Sequence, residues 1–292
     1  MIYGFKQLEY AIPKNIVSIE DLVKDANLSN EILVNMKNGG LKFIPISIEN
    51  IDILIKEAIS KLNSNKLWGG VIYAQSIPFK INLFPNTPST TISGQPCSIL
   101  HTALKFSLDW SRSSNKDILL IGADKVVSIN ERLYFNSAMG DVAIVGVIGN
   151  ENILHQVLSI HIDSYIFADN GELSKKSDIV KFRENNPLLI RENIMTNLSK
   201  VNIKLKDIKF IFPHTPYLGI WDLMSKVLRY PRERIITKYI NKTGHLNSND
   251  SFFHYLRAIE DGFVKKDDTV LLINSGFGGT RGSTIMRYKG KK

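Results

Sequence analysis

The chain has 292 residues, one cysteine, 43% hydrophobic and 22% charged residues, and a formal net charge of +9. This balance supplies a sizeable core and excludes intrinsic disorder, and no apolar run reaches the ~18 residues of a membrane span. The excess of positive charge suits an anionic partner, but Lys and Arg are scattered with no basic stripe among aromatics, so nucleic acid is not expected. A single thiol excludes an internal disulfide and fits a reducing, cytoplasmic compartment. The first residues, MIYGFKQLEYAIPKN, lack the apolar centre of a signal peptide.

Amphipathic spacing predicts a helix near 49–63, followed by a strand at 70–76, GVIYAQS. A second helix near 98–112 carries apolar residues at Leu100, Ala103, Leu104 and Leu108, and Cys97 stands at its mouth. Strands follow at 118–123 (ILLIGA) and 142–149 (VAIVGVIG), with a strand-like QVLSI at 156–160. Residues 163–186 are polar and irregular and read as a connecting loop. A helix near 187–200, a strand at 208–213, and helices near 217–229 and 250–262 come next, and strands at 269–275 and 283–288 close the chain. Alternating strands and helices predict an α/β fold with substantially parallel sheets.

The order repeats. Residues 54–62 and 71–78 (LIKEAISKL, VIYAQSIP) resemble 189–198 and 209–216 (LIRENIMTNL, KFIFPHTP). Residues 98–110 and 117–124 likewise resemble 251–263 and 268–276. Two matches in the same order predict duplication of one α/β unit. In a pseudo-symmetric pair the Cys97 region and the 244–250 region occupy related places.

Cys97 is the first candidate for chemistry. A thiol at a helix N-terminus meets the positive end of the dipole and unpaired N–H groups, which favour the nucleophilic thiolate. Taken alone it fits a small buried hydrophobe better, as most free cysteines are. The six histidines add context. His101 and His254 sit inside amphipathic helices and read as surface or packing residues. His155 and His161 flank a strand with no partner signal. His214 ends the apolar strand IKFIFP, where open α/β sheets place functional groups. His245 lies in the loop NKTGHLNSND. One Cys with two loop histidines fits thiol acyl transfer. Zinc is not expected, because no second Cys and no His-x-x-x-His spacing is present.

These residues carry a resemblance. The chain is similar, over nearly its whole length, to the thiolase-fold condensing enzymes, in particular the 3-oxoacyl-(acyl carrier protein) synthase III group. Cys97 in Gln-Pro-Cys-Ser-Ile-Leu-His-Thr-Ala-Leu matches that family's nucleophile segment, and 118–124 matches its Val-Gly-Ala-Asp strand. Ser137–Asp141 with 142–147 resembles Phe-Gly-Asp-Gly-Ala-Gly. Phe212-Pro213-His214 matches Pro-His-Gln-Ala-Asn, and 276–282 (GFGGTRG) resembles the C-terminal glycine loop.

The resemblance implies a layered α-β-α-β-α fold of two duplicated halves with mixed five-stranded sheets. The halves would be 1–162 with the nucleophile and 163–292 with the histidines. It implies acyl-Cys97 chemistry with His214 and His245 as partners, and an oxyanion hole from the amides of Cys97 and of Gly278 or Gly279. Group III members carry Asn where His245 stands, and Gly244 to Asp250 instead follows a Gly-His-x-x-Ser-x-Asp pattern of some divergent members. The arginines that clamp a nucleotide are replaced near 37–43, leaving Lys37 and Lys42, and Lys lacks the bidentate fork of Arg. An acyl carrier protein thioester is therefore expected as substrate more than free coenzyme A, with no bound cofactor. Specialised metabolism is the expected setting, and an ester- or amide-forming acyltransferase is the alternative. A catalytically silent subunit of a heterodimer is a further one, against which the retained Cys97 argues. A homodimer, or a heterodimer with a homologous subunit, is expected through the apolar stretch with Ile81, Leu83 and Phe84.

Overall fold

The computed structural model describes residues 2–63, 67–77, 79, 83–134, 137–165, 174–276 and 278–290. Its main strands, in chain order, are β1 (Gly4–Ala11), β2 (Gly70–Ala74), β3 (Ser89–Ile92), β4 (Ile118–Asp124) and β5 (Val142–Gly149). β6 (His155–Ser164), β7 (Phe210–Pro213), β8 (Thr269–Ser275) and β9 (Thr280–Tyr288) complete the set. The main helices are α1 (Ile19–Asp25), α2 (Asn30–Asn38), α3 (Ile51–Ser60), α4 (Ile99–Ser114), α5 (Lys176–Lys200), α6 (Gly219–Leu228) and α7 (Asp250–Glu260).

The strands form one nine-stranded sheet in the order β7-β8-β9-β6-β1-β5-β4-β2-β3. Its two parts follow the same plan. β1 pairs antiparallel with β5, β5 antiparallel with β4, and β4 parallel with β2. In the same way β6 pairs antiparallel with β9, β9 antiparallel with β8, and β8 parallel with β7. Both opening strands bulge near their start, between Phe5 and Gln7 and between Val157 and Ser159. The parts meet edge to edge where Gly4 and Phe5 face Gln156 and His155.

β4 and β5 are buried at every position, which is why they read as unbroken apolar runs rather than alternating ones. Helices cover them on both faces. α3 lies outside on β5, β1 and β4, and α5 lies outside on β6, β9 and β8. Between the two parts run α4 and α7, each touching strands of both. This makes the α-β-α-β-α layering. The central helices bury residues nearly all round: α4 hides Ile99, Leu100, Ala103, Leu104 and Leu108, and α7 hides Phe252, Phe253, Tyr255 and Leu256. Truncating one such residue, for example Leu104→Ala, costs about 2–5 kcal/mol.

Several expectations need correction. Residues 163–186 are not a continuous loop: β6 runs to Ser164 and α5 begins at Lys176, while 166–173 lie outside the described residues. Apolar periodicity misses the start of α5 because 176–186 is largely exposed and buries only Phe182 and Asn186. The expected division between 162 and 163 falls within β6. The second part has four strands among the described residues, not five. β1, β3, α1 and α2 were not expected from periodicity. Of the expected association residues, Ile81 lies outside the described residues, and Leu83 and Phe84 are half-buried against the α3 side of the core.

Candidate active site

Cys97 stands just before α4, which begins at Ile99 after the cap residue Ser98. Its φ is +61°, left-handed for a residue with a Cβ. Such backbone costs of the order of 1–3 kcal/mol and clusters at functional sites. The sheet comes close behind it. A Cβ on Gly276, after the end of β8, would lie 1.8 Å from the Pro96 carbonyl oxygen, so only glycine fits there.

His245 follows Gly244, whose φ of 59° and ψ of −150° belong to glycine alone. The backbone holds this turn on both sides. His245 N–H donates to Ala138 O, and Gly140 N–H donates to His245 O, each at 2.9 Å. The ring then lies with Nε2 3.5 Å from Cys97 Sγ and Nδ1 2.5 Å from Asp250 Oδ2. Asp250 is fully buried and also accepts from the backbone N–H groups of Thr215 and Leu246, each at 2.7 Å. A carboxylate, an imidazole and a thiol thus stand in line.

Burial opposes a charge on His245, but Asp250 and the Cys97 sulfur outweigh it and push the ring up to about 10. Burial likewise acts against the Asp250 carboxylate, yet the charge on His245 holds it below its ordinary value. His214 sits where β7 ends, its N–H donating to Ile273 O at 2.9 Å. Its ring centroid is 5.9 Å from that of His245. Burial, then the neighbouring His245 charge, pushes it down to about 3, so it is neutral. Ser275 N–H donates to its Nδ1 at 3.4 Å, leaving the proton on Nε2. The two histidines therefore differ: one charged and held by a carboxylate, one neutral.

A cavity of about 540 Å³ opens onto Cys97, His214 and His245 together. Its walls include Asn38 and Gly39 at the end of α2, Phe182, Arg183 and Asn186 from α5, and Tyr217 before α6. A larger groove, about 780 Å³, lies near Arg229 and Tyr230 and touches none of the three.

Other expected residues fare unevenly. Gly278 (φ 97°) follows Gly276 in the loop beside Pro96. Gly279 N–H is committed to Gly276 O at 3.1 Å in the tight turn, so it is not a free oxyanion donor. Phe277 lies outside the described residues. Lys37 pairs with Glu20 at 2.6 Å on the surface, and Lys42 is exposed and does not line the cavity. Arg183 does line it. His101 and His254 are fully buried in the central helices, not on the surface. His101 bridges Thr284 Oγ1 (2.8 Å) and Asn274 Oδ1 (3.1 Å). His155 has a partner after all, Tyr255 Oη at 2.7 Å. The sequence reading also missed Asp250, Ser275 and Asn186. Only Asp250 left a signal, as the last residue of Gly-His-x-x-Ser-x-Asp.

Residues 198–288 match the family model described as 3-Oxoacyl-[acyl-carrier-protein (ACP)] synthase III C terminal, a stretch holding His214, His245 and Asp250. The chain is 23% identical over 281 residues to a Beta-ketoacyl-[acyl-carrier-protein] synthase III of Wolbachia pipientis wMel, covering 91% of this chain and 86% of that one. A relative of the same description from Fusobacterium nucleatum is 28% identical over 195 residues, and the match spans 59% of each protein. Among solved structures, the 3-oxoacyl-[acyl-carrier-protein] synthase III of Aquifex aeolicus VF5 superposes with a TM-score of 0.81 at 23% identity, covering 98% of this chain and all of that one. An acyltransferase called ChlB3 superposes with a TM-score of 0.85 at 17% identity, over 99% of this chain and 98% of its own. These structures share the fold.

Proposed function

Taking the chain as a thiolase-fold, synthase III-like condensing enzyme of distant homology, we propose that Cys97 takes an acyl group from a carrier-bound thioester and passes it to a malonyl-type acceptor. The observation that carries this reading is the Cys97 Sγ–His245 Nε2 approach of 3.5 Å in a cavity shared with His214.

In the first step the thiol proton rests on His245 and the sulfur attacks the thioester carbonyl carbon. The carbonyl oxygen becomes an oxyanion facing the amides of Cys97 and Gly278. One such donor is worth about 3 kcal/mol. The carbonyl re-forms, the carrier thiolate leaves, and His245 returns the proton to it and takes up another from water, which restores the Nε2–H donor for the next step. In the second step the malonyl C–C bond breaks, carbon dioxide leaves, and the electron pair remains as an enolate. His214 Nε2–H and the His245 ring donate to the enolate oxygen. The enolate carbon attacks the acyl carbon, and the Cys97 sulfur leaves.

A second reading rests on the Asp250–His245 contact of 2.5 Å. A carboxylate behind an imidazole is the arrangement of a general base, which ester or amide formation needs to deprotonate an alcohol or amine. The measurement that separates them is carbon dioxide release from a malonyl donor, run with the intact mass of acyl-Cys97. Carbon dioxide with a mass gain supports condensation. A mass gain with no carbon dioxide, and transfer to an amine or alcohol, selects the second reading.

The net charge of +9 suits an acidic carrier protein, and the lysines at 37 and 42 supply no nucleotide clamp. The altered motifs favour specialised metabolism, the setting named for one structural neighbour, the priming beta-ketosynthase of the R1128 polyketide biosynthetic pathway. Among the described residues β3 is an edge of the sheet, which suits a homodimer or pairing with a homologous subunit. Light scattering at micromolar concentration tests this, and a monomer refutes it.

A further inference from the structure

Asn186 stands on α5 in the wall of the cavity that holds Cys97, His214 and His245, and only 6% of it is exposed. Its Oδ1 accepts from Ser275 Oγ at 2.7 Å, and the backbone N–H of the same Ser275 reaches His214 Nδ1. That bond orients the carboxamide. The oxygen points toward β8, and the two N–H donors point away from it. Neither donor has a protein partner among the described residues, and the nitrogen is not one of the sealed, unsatisfied atoms of the interior. The amide nitrogen therefore opens onto the cavity, in the same wall as Arg183, whose charge acts on the Tyr217 phenol.

A plain hydrocarbon chain laid against this wall strips water from the amide and returns no hydrogen bond. A site built to bond a polar group discriminates against the analogue that lacks it more sharply than an apolar pocket discriminates by size. We propose that Asn186 selects acyl donors carrying a carbonyl or carboxylate oxygen within reach of its amide nitrogen, so that this site accepts short oxygenated acyl groups in preference to alkyl ones. The proposal rests on the acyl-Cys97 reading above and adds the substrate class.

The test is a loading panel of butyryl, acetoacetyl and succinyl thioesters on the same carrier, followed by intact mass on the full chain. Wild-type protein is expected to load acetoacetyl or succinyl at least about tenfold faster than butyryl. Whichever of the two wins identifies the oxygen as carbonyl or carboxylate. Asn186→Ala removes the donor. Asn186→Asp keeps an oxygen for Ser275 but loses the N–H groups. In both variants the ratio of the preferred oxygenated donor to butyryl should fall at least about tenfold. Butyryl loading as fast as the oxygenated donors in wild type overturns the proposal. So does an equal slowing of all three donors in both variants, which assigns Asn186 to the common carrier arm or to His214. Failure of wild type to load any donor, while iodoacetamide still alkylates Cys97, overturns the acyl-Cys97 reading itself.

Discussion

Asp250→Asn removes the charge behind His245 with almost no change in shape. His245 is raised from 6.5 to about 10 in the intact site. At about 1.4 kcal/mol for each pKa unit, this corresponds to about 5 kcal/mol in favour of the charged ring. Asp250 supplies the leading share of that push and the Cys97 sulfur the rest, while burial works against it. With Asn at 250, burial dominates and the ring is neutral at pH 7. The Cys97–His245 pair then no longer holds its proton on the imidazole. Because Cys97 is the sole thiol, iodoacetamide reports the pair without ambiguity. Wild-type alkylation should differ by only a few-fold between pH 6 and pH 8. In Asp250→Asn it should fall much more steeply toward pH 6, by at least roughly tenfold over that range, because thiolate is no longer held by a charged imidazole. Acyl loading at pH 6 should fall in parallel. Asp250 also anchors the Thr215 and Leu246 amides, so a stability loss of about 3–5 kcal/mol is expected for breaking a buried pair. Rates are compared at a temperature where circular dichroism shows the variant folded. Parallel pH profiles for the two proteins would falsify the carboxylate–imidazole–thiol argument.

The strained nucleophile gives a stability test: Cys97→Gly should be about 1 kcal/mol more stable than Cys97→Ala, near 2 °C in melting temperature, because only glycine accepts φ +61° without strain. Equal melting temperatures would show that the backbone relaxes. His214→Asn should lower carbon dioxide release from a malonyl donor by about 10²-fold, with no change in the shape of the pH profile from 5 to 9, since wild-type His214 titrates near 3. A lost ionisation near neutral pH would contradict the neutral-donor role. His245→Asn should keep measurable loading and carbon dioxide release if condensation is the chemistry, since Asn still donates. Loss of transfer with loading intact points to a general base. The raised pKa of His245 stabilises the fold fully below pH 6.5, and that contribution is lost as pH rises through about 10. Urea midpoints for wild type should fall between pH 7 and 10 more steeply than for Asp250→Asn, and identical slopes would refute the linkage.

The sequence by itself determined the parts that rest on local pattern. The apolar runs at 118–123, 142–149 and 269–275 are strands because each is buried on both faces, which leaves no polar alternation to obscure them. The two helix-then-strand echoes are the α3–β2 and α5–β7 units and the α4–β4 and α7–β8 units, so the duplication is legible in the sequence alone. Cys97 at a helix mouth and His214 at a strand end were legible for the same local reason. Tertiary structure decided what depends on contact at long range. The 163–186 segment looks like a loop because the start of α5 is largely exposed, burying only Phe182 and Asn186, and leaves no apolar stripe to read. Lys37 turns to Glu20 at the surface, while Arg183, far along the chain, reaches the cavity. The approach of His245 to Cys97 joins residues separated by 148 positions. It depends on the turn at Gly244 and on the backbone bonds to Ala138 and Gly140. No periodicity encodes such a contact, because it exists only once α4 and α7 are clamped between the two parts of the sheet.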